Sequence, residues 1–145
     1  MSNLVKKERG FTLIEIVLVL AIAGLLLVIV FLAVSGAQRS RRDTQRKNDV
    51  SRLAASIENY ASNNNGSYPT AAQFPAAAGA GAFGPYVPTN FKDPSSGANY
   101  VLVGGAGPGS ITYTPSQDCT GAAAGARVYA VSMQLESGTA CRDNK

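Results

Sequence analysis

The chain contains no histidine among its 145 residues. That removes the commonest general base and the commonest metal ligand of proteins. No proline occurs before Pro69. A helix can therefore run uninterrupted from about Phe11 to Asn63, roughly 80 Å at the standard rise. Charge is absent from Ile16 to Val34, nineteen consecutive positions reading IVLVLAIAGLLLVIVFLAV. A helix of that length measures about 28 Å, close to the hydrocarbon thickness of a bilayer. A core helix in so small a domain keeps a polar face, and this one has none. The segment reads as membrane-spanning.

Catalytic constellations are equally scarce. The glycine-rich stretch Gly104-Gly105-Ala106-Gly107-Pro108-Gly109 lacks the Gly-Lys-Ser/Thr ending of a phosphate loop, and no long helix follows it. Asp93, Asp118, Glu136 and Asp143 fall in loops and strand ends without calcium-loop spacing. No catalytic residue, cofactor site or metal site is assigned, and the chain does not read as an enzyme.

Basic residues flank the apolar run on both sides. Lys6, Lys7 and Arg9 precede it, and Arg39, Arg41, Arg42, Arg46 and Lys47 follow. Charge counting alone therefore leaves the orientation open. The formal net charge of +4 mostly reflects these clusters, since residues 64 to 145 hold four basic and four acidic residues. That balance makes no electrostatic case for nucleic acid there. The six basic side chains of residues 38 to 52, mixed with Asp43 and Asp49, are the one stretch that invites a nucleic-acid or lipid-headgroup surface. A solvated stalk face or ion pairing between subunits is the plainer reading, and DNA is left open as a partner.

A secretory signal would end in a cleavage site after its apolar core. Ser35-Gly36-Ala37 would serve, releasing a soluble domain from Gln38. The apolar run is too long for such a signal, and Glu15 stands near its start. An ionised carboxylate in hydrocarbon costs several kcal/mol unless it finds a partner. Glu15 either sits at headgroup level or is paired.

The run Lys6-Lys7-Glu8-Arg9-Gly10-Phe11-Thr12-Leu13-Ile14-Glu15 resembles the class III signal of type IV pilins and type II secretion pseudopilins. The resemblance implies a leader, residues 1–10, that a prepilin peptidase removes after Gly10, with methylation of the new N-terminal Phe11. It makes Glu15 the fifth mature residue, an assembly residue that pairs with the Phe11 amine of a neighbouring copy. It further implies a helical homopolymer built by an inner-membrane platform with its ATPase, alongside minor pilins. The subunit would wait in the lipid bilayer as a single-pass membrane protein. It would then enter an extracellular pilus or a periplasmic or cell-wall pseudopilus. The resemblance is strong over residues 6 to 69. A type II secretion pseudopilin, a competence pseudopilin serving DNA uptake, and a single-pass membrane-anchored binding module that never polymerises are the alternatives.

The expected fold is α+β. Residues 11–36 form the transmembrane or filament-core half of a long helix, and residues 37–63 an amphipathic half. This helix packs against a head, residues 64–145, containing a small antiparallel sheet. Val50, Leu53, Ala54, Ile57, Tyr60 and Ala61 make one apolar stripe. Asn63-Asn64-Asn65-Gly66 should end the helix. The phrases Asn65-Gly66-Ser67-Tyr68-Pro69 and Asp93-Pro94-Ser95-Ser96-Gly97-Ala98-Asn99-Tyr100 resemble the helix exit and sheet entry of pseudopilins. Phe74, Phe83, Tyr86 and Phe91 should anchor the connecting loop on the helix, with a short helix possible over residues 73 to 78. A hairpin of residues 100–103 and 111–114 and a strand over residues 127–136 are expected. Tyr129, Val131, Met133 and Leu135 should share one face of that strand.

Cys119 and Cys141 are the only cysteines. In an exported domain an even count favours a disulfide, and the resemblance implies a closed C-terminal loop of this kind. A bridge across that span stabilises by roughly 3 kcal/mol in the chain-entropy picture. Related major pseudopilins often hold calcium in this region, where the present sequence carries the cysteine pair.

Overall fold

The computed structural model describes residues 10–74, 81–102 and 107–145. Helix α1 spans Leu13–Asn63, and three strands follow: β1, Ile111–Pro115; β2, Tyr129–Gln134; and β3, Thr139–Asp143. The sheet is antiparallel in the order β1-β2-β3. The protein is therefore α+β, a long apolar N-terminal helix whose later turns pack on a small antiparallel sheet. Two units are distinguished along the chain, Met1–Gln38 and Arg39–Lys145.

In the first unit the apolar helix has no cover. Its large side chains from Phe11 to Val34 are between 46% and 86% exposed. Among the described residues, α1 is the one helix long and apolar enough to cross a membrane.

In the second unit the stripe on α1 becomes the floor of a core. Val50, Leu53, Ala54, Ile57, Tyr60 and Ala61 are all buried. Against them lie Phe74, Phe83, Val87, Phe91, Tyr100 and Leu102, and from the sheet Ile111, Tyr113, Tyr129, Val131 and Met133. Aromatic contacts run through this layer. Phe74 stacks on Tyr113 at 4.5 Å and on Phe83 at 5.0 Å, while Tyr60 meets Phe83 and Tyr86 edge-on at 5.7 and 5.2 Å. Such pairs add about 0.5–1.5 kcal/mol each beyond burial alone. The loop aromatics thus pack on the helix, with Tyr86 at the edge. The possible short helix near residue 73 lies mostly outside the described residues.

The end of α1 is a backbone closure. Gly66 N–H reaches the Ala61 carbonyl at 2.8 Å, and the Asn64 side-chain amide covers the Tyr60 carbonyl at 2.8 Å. Asn65 and Gly66 take left-handed φ values of 55° and 76°, which Asn and Gly tolerate best.

The sheet departs from the expected pairing in one place. The expected hairpin is not a ladder: Val101 and Ser110 form a single bridge, and Tyr100 N–H bonds to the Phe91 carbonyl. Tyr100 and Leu102 are buried, so apolar alternation there reports core contact without strand pairing. Residues 103 to 106 lie outside the described residues. The partner of β1 is β2, in the register Ile111↔Met133 to Pro115↔Tyr129. The third strand is β3, which has no fully buried residue and hence no apolar alternation to betray it. Tyr129, Val131 and Met133 of β2 and Leu135 just after it, the four residues expected on one face, are buried, and Ala130 is buried as well.

Gly109 sits beside the turn that precedes β1, at φ 89°. A Cβ there would lie 3.1 Å from Asp93 Cγ, and Asp93 is itself held by several hydrogen bonds. Neither atom has freedom to move. Gly109→Ala is expected to destabilise the chain by about 1–2 kcal/mol from backbone conformation alone. Chemical denaturation with an unchanged m-value is the measurement that checks it.

Candidate functional site

The chemistry of the N-terminal motif begins with Thr12. Its backbone N–H and hydroxyl donate to Glu15 Oε2 at 2.8 and 2.7 Å, and Glu15 N–H returns to the Thr12 hydroxyl at 3.4 Å. This is a capping box, in which a Thr N-cap and a Glu three residues later satisfy each other's orphan donors. The Thr-x-x-Glu spacing was visible in the sequence and was not read there. It places the Glu15 carboxylate at the first turn of α1, where the helix dipole also favours negative charge. Gly10, Phe11, Thr12 and Glu15 line one depression at this end, and the Phe11 ring is 86% exposed. The structure thus brings the expected junction, Gly10 and Phe11, beside the expected assembly carboxylate, Glu15.

The second constellation lies in the basic run. Arg46 has no exposed surface. Its guanidinium donates to Asp93 Oδ1 through Nε at 2.8 Å, to Ser95 Oγ at 2.9 Å, to Glu136 Oε1 at 3.2 Å and to Asp43 Oδ1 at 3.4 Å. Arg42 grips Glu136 with two parallel bonds of 2.6 and 2.9 Å. That fork geometry is specific to arginine. Asp43 accepts the backbone N–H groups of Glu136 and Ser137 at 2.9 and 3.1 Å and the Ser137 hydroxyl at 2.5 Å. Asp93 ties the turn that follows it by accepting from Ser95 and Ser96, backbone and hydroxyl alike. One turn further along α1, Asp49 accepts from Tyr100 at 2.9 Å and from Arg52 at 3.1 Å.

For Arg42, Asp43, Arg46 and Asp49 this corrects the expectation of a solvated face or pairing between subunits, while Arg52, paired with Asp49 at 3.1 Å, stays exposed. Their partners are within the chain. The clue was positional: the stripe Val50, Leu53, Ile57, Tyr60 projects upstream at the same spacing onto Arg46 and Asp43. Arg39, Arg41 and Lys47 remain exposed and make no ion pair among the described residues. Asp93 and Glu136, distant in sequence, meet around one cation. That cation is a guanidinium, and no group of three or more metal-ligating side chains occurs among the described residues.

The electrostatics follow from these contacts. The Ser137 hydroxyl, foremost, holds Asp43 below the usual carboxylate range. Burial alone would push Asp93 up, but the Ser95 hydroxyl and Arg46 outweigh it and leave it lowered. Arg42 pulls Glu136 down to about 2, with help from Arg46. Burial disfavours the charged form of Arg46, yet Asp93 and Glu136 hold its pKa above the ordinary value.

At the far end of the chain Cys119 and Cys141 form a disulfide with Cα atoms 5.8 Å apart. Cys141 lies within β3 opposite Ser132, and Cys119 N–H donates to Asp143 at 3.0 Å. Lys145 pairs with Asp118 at 2.6 Å, so the last residues are tied down from both sides.

A capped apolar helix with a carboxylate at its first turn, followed by an α+β head, fits a membrane-anchored precursor. Residues 5–31 match the family model described as the prokaryotic N-terminal methylation motif. The chain therefore carries the class III signal peptide of type IV pilins and pseudopilins. No curated protein matches the chain, and no solved structure does.

Two outcomes follow for the clamp. Asp43, Asp93 and Glu136 all have folded pKa values below the unfolded carboxylate range, so the unfolded chain binds more protons in acid. Their stabilisation is complete above about pH 5 and lost as pH falls toward the folded values, near 2 for Glu136. Thermal unfolding of the full chain in neutral detergent should show a midpoint that declines from pH 5 to pH 2. Arg46→Met leaves buried carboxylates without their cation, a loss of about 3–5 kcal/mol. The same melts should show a flattened acid limb in that variant.

Proposed function

We propose that this protein is the structural subunit of a type IV pilus or pilus-like filament, made as a membrane precursor and assembled through its N-terminal apolar helix. The observation that carries the reading is the methylation-motif match over residues 5–31, running into an apolar helix that the chain itself leaves uncovered. Prepilin peptidase removes residues 1–10 after Gly10, and Phe11 becomes the methylated N-terminus. Residues 11–36 span the bilayer and later supply the filament core, residues 37–63 carry the head, and residues 64–145 complete it. The partners are further copies of the chain, minor pilins, and an inner-membrane platform driven by an ATPase. The product stands outside the cell or in the periplasm or wall. The protein performs no catalysis in this role.

The physical case for assembly rests on a balance at the first turn of α1. In the single chain the Glu15 carboxylate is satisfied by Thr12. Cutting after Gly10 creates an α-amine at Phe11, and the Glu15 of an adjacent copy is the carboxylate best placed to receive it. Two opposite charges at about 4 Å gain far more in a low-dielectric filament core than in water. That pairing sets the axial register between copies.

Intact-mass analysis of protein from membranes or filaments should give a chain starting at N-methylated Phe11. A chain starting at Gln38, or assembled filaments retaining residues 1–10, would sink the assignment. Substitution at Glu15 separates charge from capping. Glu15→Gln keeps a capping-box side chain while removing the charge, whereas Glu15→Ala removes both. Both variants should insert into membranes, and both should yield few filaments by shear preparation and immunoblot. Normal yield from Glu15→Gln would show that the cap matters and the charge does not.

A further inference from the structure

Of all the asparagines in the chain, Asn65 alone is followed by glycine. In that pairing the backbone amide reaches the preceding side chain most easily, because glycine has no Cβ to obstruct the approach. Asn65, Gly66 and Ser67 are exposed, and a Cβ built on Gly66 would meet nothing within 4 Å. The Asn65 carboxamide makes no hydrogen bond among the described residues, whereas that of Asn64 is held on the Tyr60 carbonyl. The Asn65 Cγ is thus an electrophile open to solvent.

The nucleophile is not open. Gly66 N–H donates to the Ala61 carbonyl at 2.8 Å, the bond that closes the last turn of α1. An amide nitrogen attacks only after losing its proton, and this proton is held in the closure. The chain beyond the closure is anchored independently. The Tyr68 hydroxyl donates to Glu58 at 2.9 Å, and the Tyr113 hydroxyl to the Pro69 carbonyl at 2.7 Å. The helix end can therefore open as a local unit while the rest of the head stays folded.

We infer that Asn65-Gly66 is a site of self-modification, gated by the closure at the end of α1. When the Gly66–Ala61 bond opens, the deprotonated Gly66 nitrogen attacks Asn65 Cγ. The new N–Cγ bond forms, the Cγ–Nδ2 bond breaks, and the side-chain nitrogen leaves as ammonia with a proton returned by solvent. Water then opens the resulting cyclic imide at one of its two carbonyls. Opening at Cγ leaves aspartate, and opening at the backbone carbonyl leaves isoaspartate. Water is the only co-reactant, and no oxidant or cofactor is consumed. In isoaspartate the main chain gains one carbon ahead of Gly66, so the bond to Ala61 cannot return in its old geometry. Either product also sets a carboxylate at the carbonyl end of α1, where the helix dipole disfavours it. The gate reacts once and does not reclose, so the site records how long a subunit has been exposed. Every residue used lies in the unit Arg39–Lys145, and the inference is independent of polymerisation.

The test ages the full chain in neutral maltoside micelles, in mildly alkaline buffer, beside a synthetic peptide of residues 61–70. Peptide mapping by mass spectrometry counts the acid product at position 65, and isoaspartyl methyltransferase identifies its isomer. The folded chain should react at least about tenfold more slowly than the peptide, equivalent to about 1.4 kcal/mol of local opening. Hydrogen exchange of the Gly66 amide requires the same opening, so its protection should match that retardation. Asn64→Ala removes the side-chain bond to Tyr60. Exchange and reaction in the folded chain should both quicken by about fivefold, the loss of one hydrogen bond, after correction against a peptide carrying the same substitution. Asn65→Gln should abolish the product. Equal rates in chain and peptide, or a folded rate that ignores Asn64→Ala, overturn the gate. Gly66 protection as high as that of Leu53 and Ile57 in the core overturns the local opening. A folded chain that forms no product while its Gly66 amide exchanges overturns the site.

Discussion

A guanidinium stripped of all water must have every donor answered by the protein, and Arg46 imposes that condition on the head. Its answers come from three separate places in the chain: Asp43 one turn back on α1, the Asp93–Ser95 turn, and Glu136 just after β2. None of these can shift without exposing a buried charge, which costs several kcal/mol. The apolar core holds the head together by area, but area is indifferent to register. The clamp specifies which turn of α1 meets which loop. Lysine could not replace the arginine here, because one ammonium lacks the planar fork that reaches Asp93 and Glu136 together.

Much of this architecture was legible in the residues, for reasons that differ from element to element. The helix and its stripe could be read because burial follows the helical period, and β2 because one face of it is packed. Strand β3 escaped because an edge strand with no fully buried residue carries no alternation, and edge strands are often charged in this way. Residues 100 to 102 misled for the opposite reason, being buried and alternating without a ladder. The clamp was hidden by composition: a run of arginines reads as surface, although its spacing continues the apolar stripe. Asp93 and Glu136 could not be joined to it from sequence, since only the fold brings them within reach. At the N-terminus the Gly10-Phe11 junction and Glu15 stand out in the sequence, while the part of Thr12 shows only in its bonds to Glu15.

Thr12 changes how Glu15 is understood. A carboxylate at the head of an apolar helix is tolerable in the precursor because two donors on the same turn already serve it. Its cost in the bilayer is reduced without any partner chain. The same arrangement keeps the carboxylate at the helix terminus, where an incoming amine can compete for it. In the proposed filament, capping and subunit pairing would call on the same carboxylate at different times.

The position of the clamp along α1 has a mechanical consequence. Arg42, Asp43 and Arg46 are bonded to the loops well before the apolar stripe begins at Val50. Tension applied to the helix upstream of Arg42 enters the head first through these bonds. Arg42, Asp43 and Arg46 share the partners Glu136, Ser137 and Asp93, so the load is spread over several bonds. The aromatic core lies behind them along the helix, and the Cys119–Cys141 disulfide ties β3 to the loop between β1 and β2 independently of the clamp. A head built this way would stretch little under pull and then fail abruptly, as a ductile linker would not.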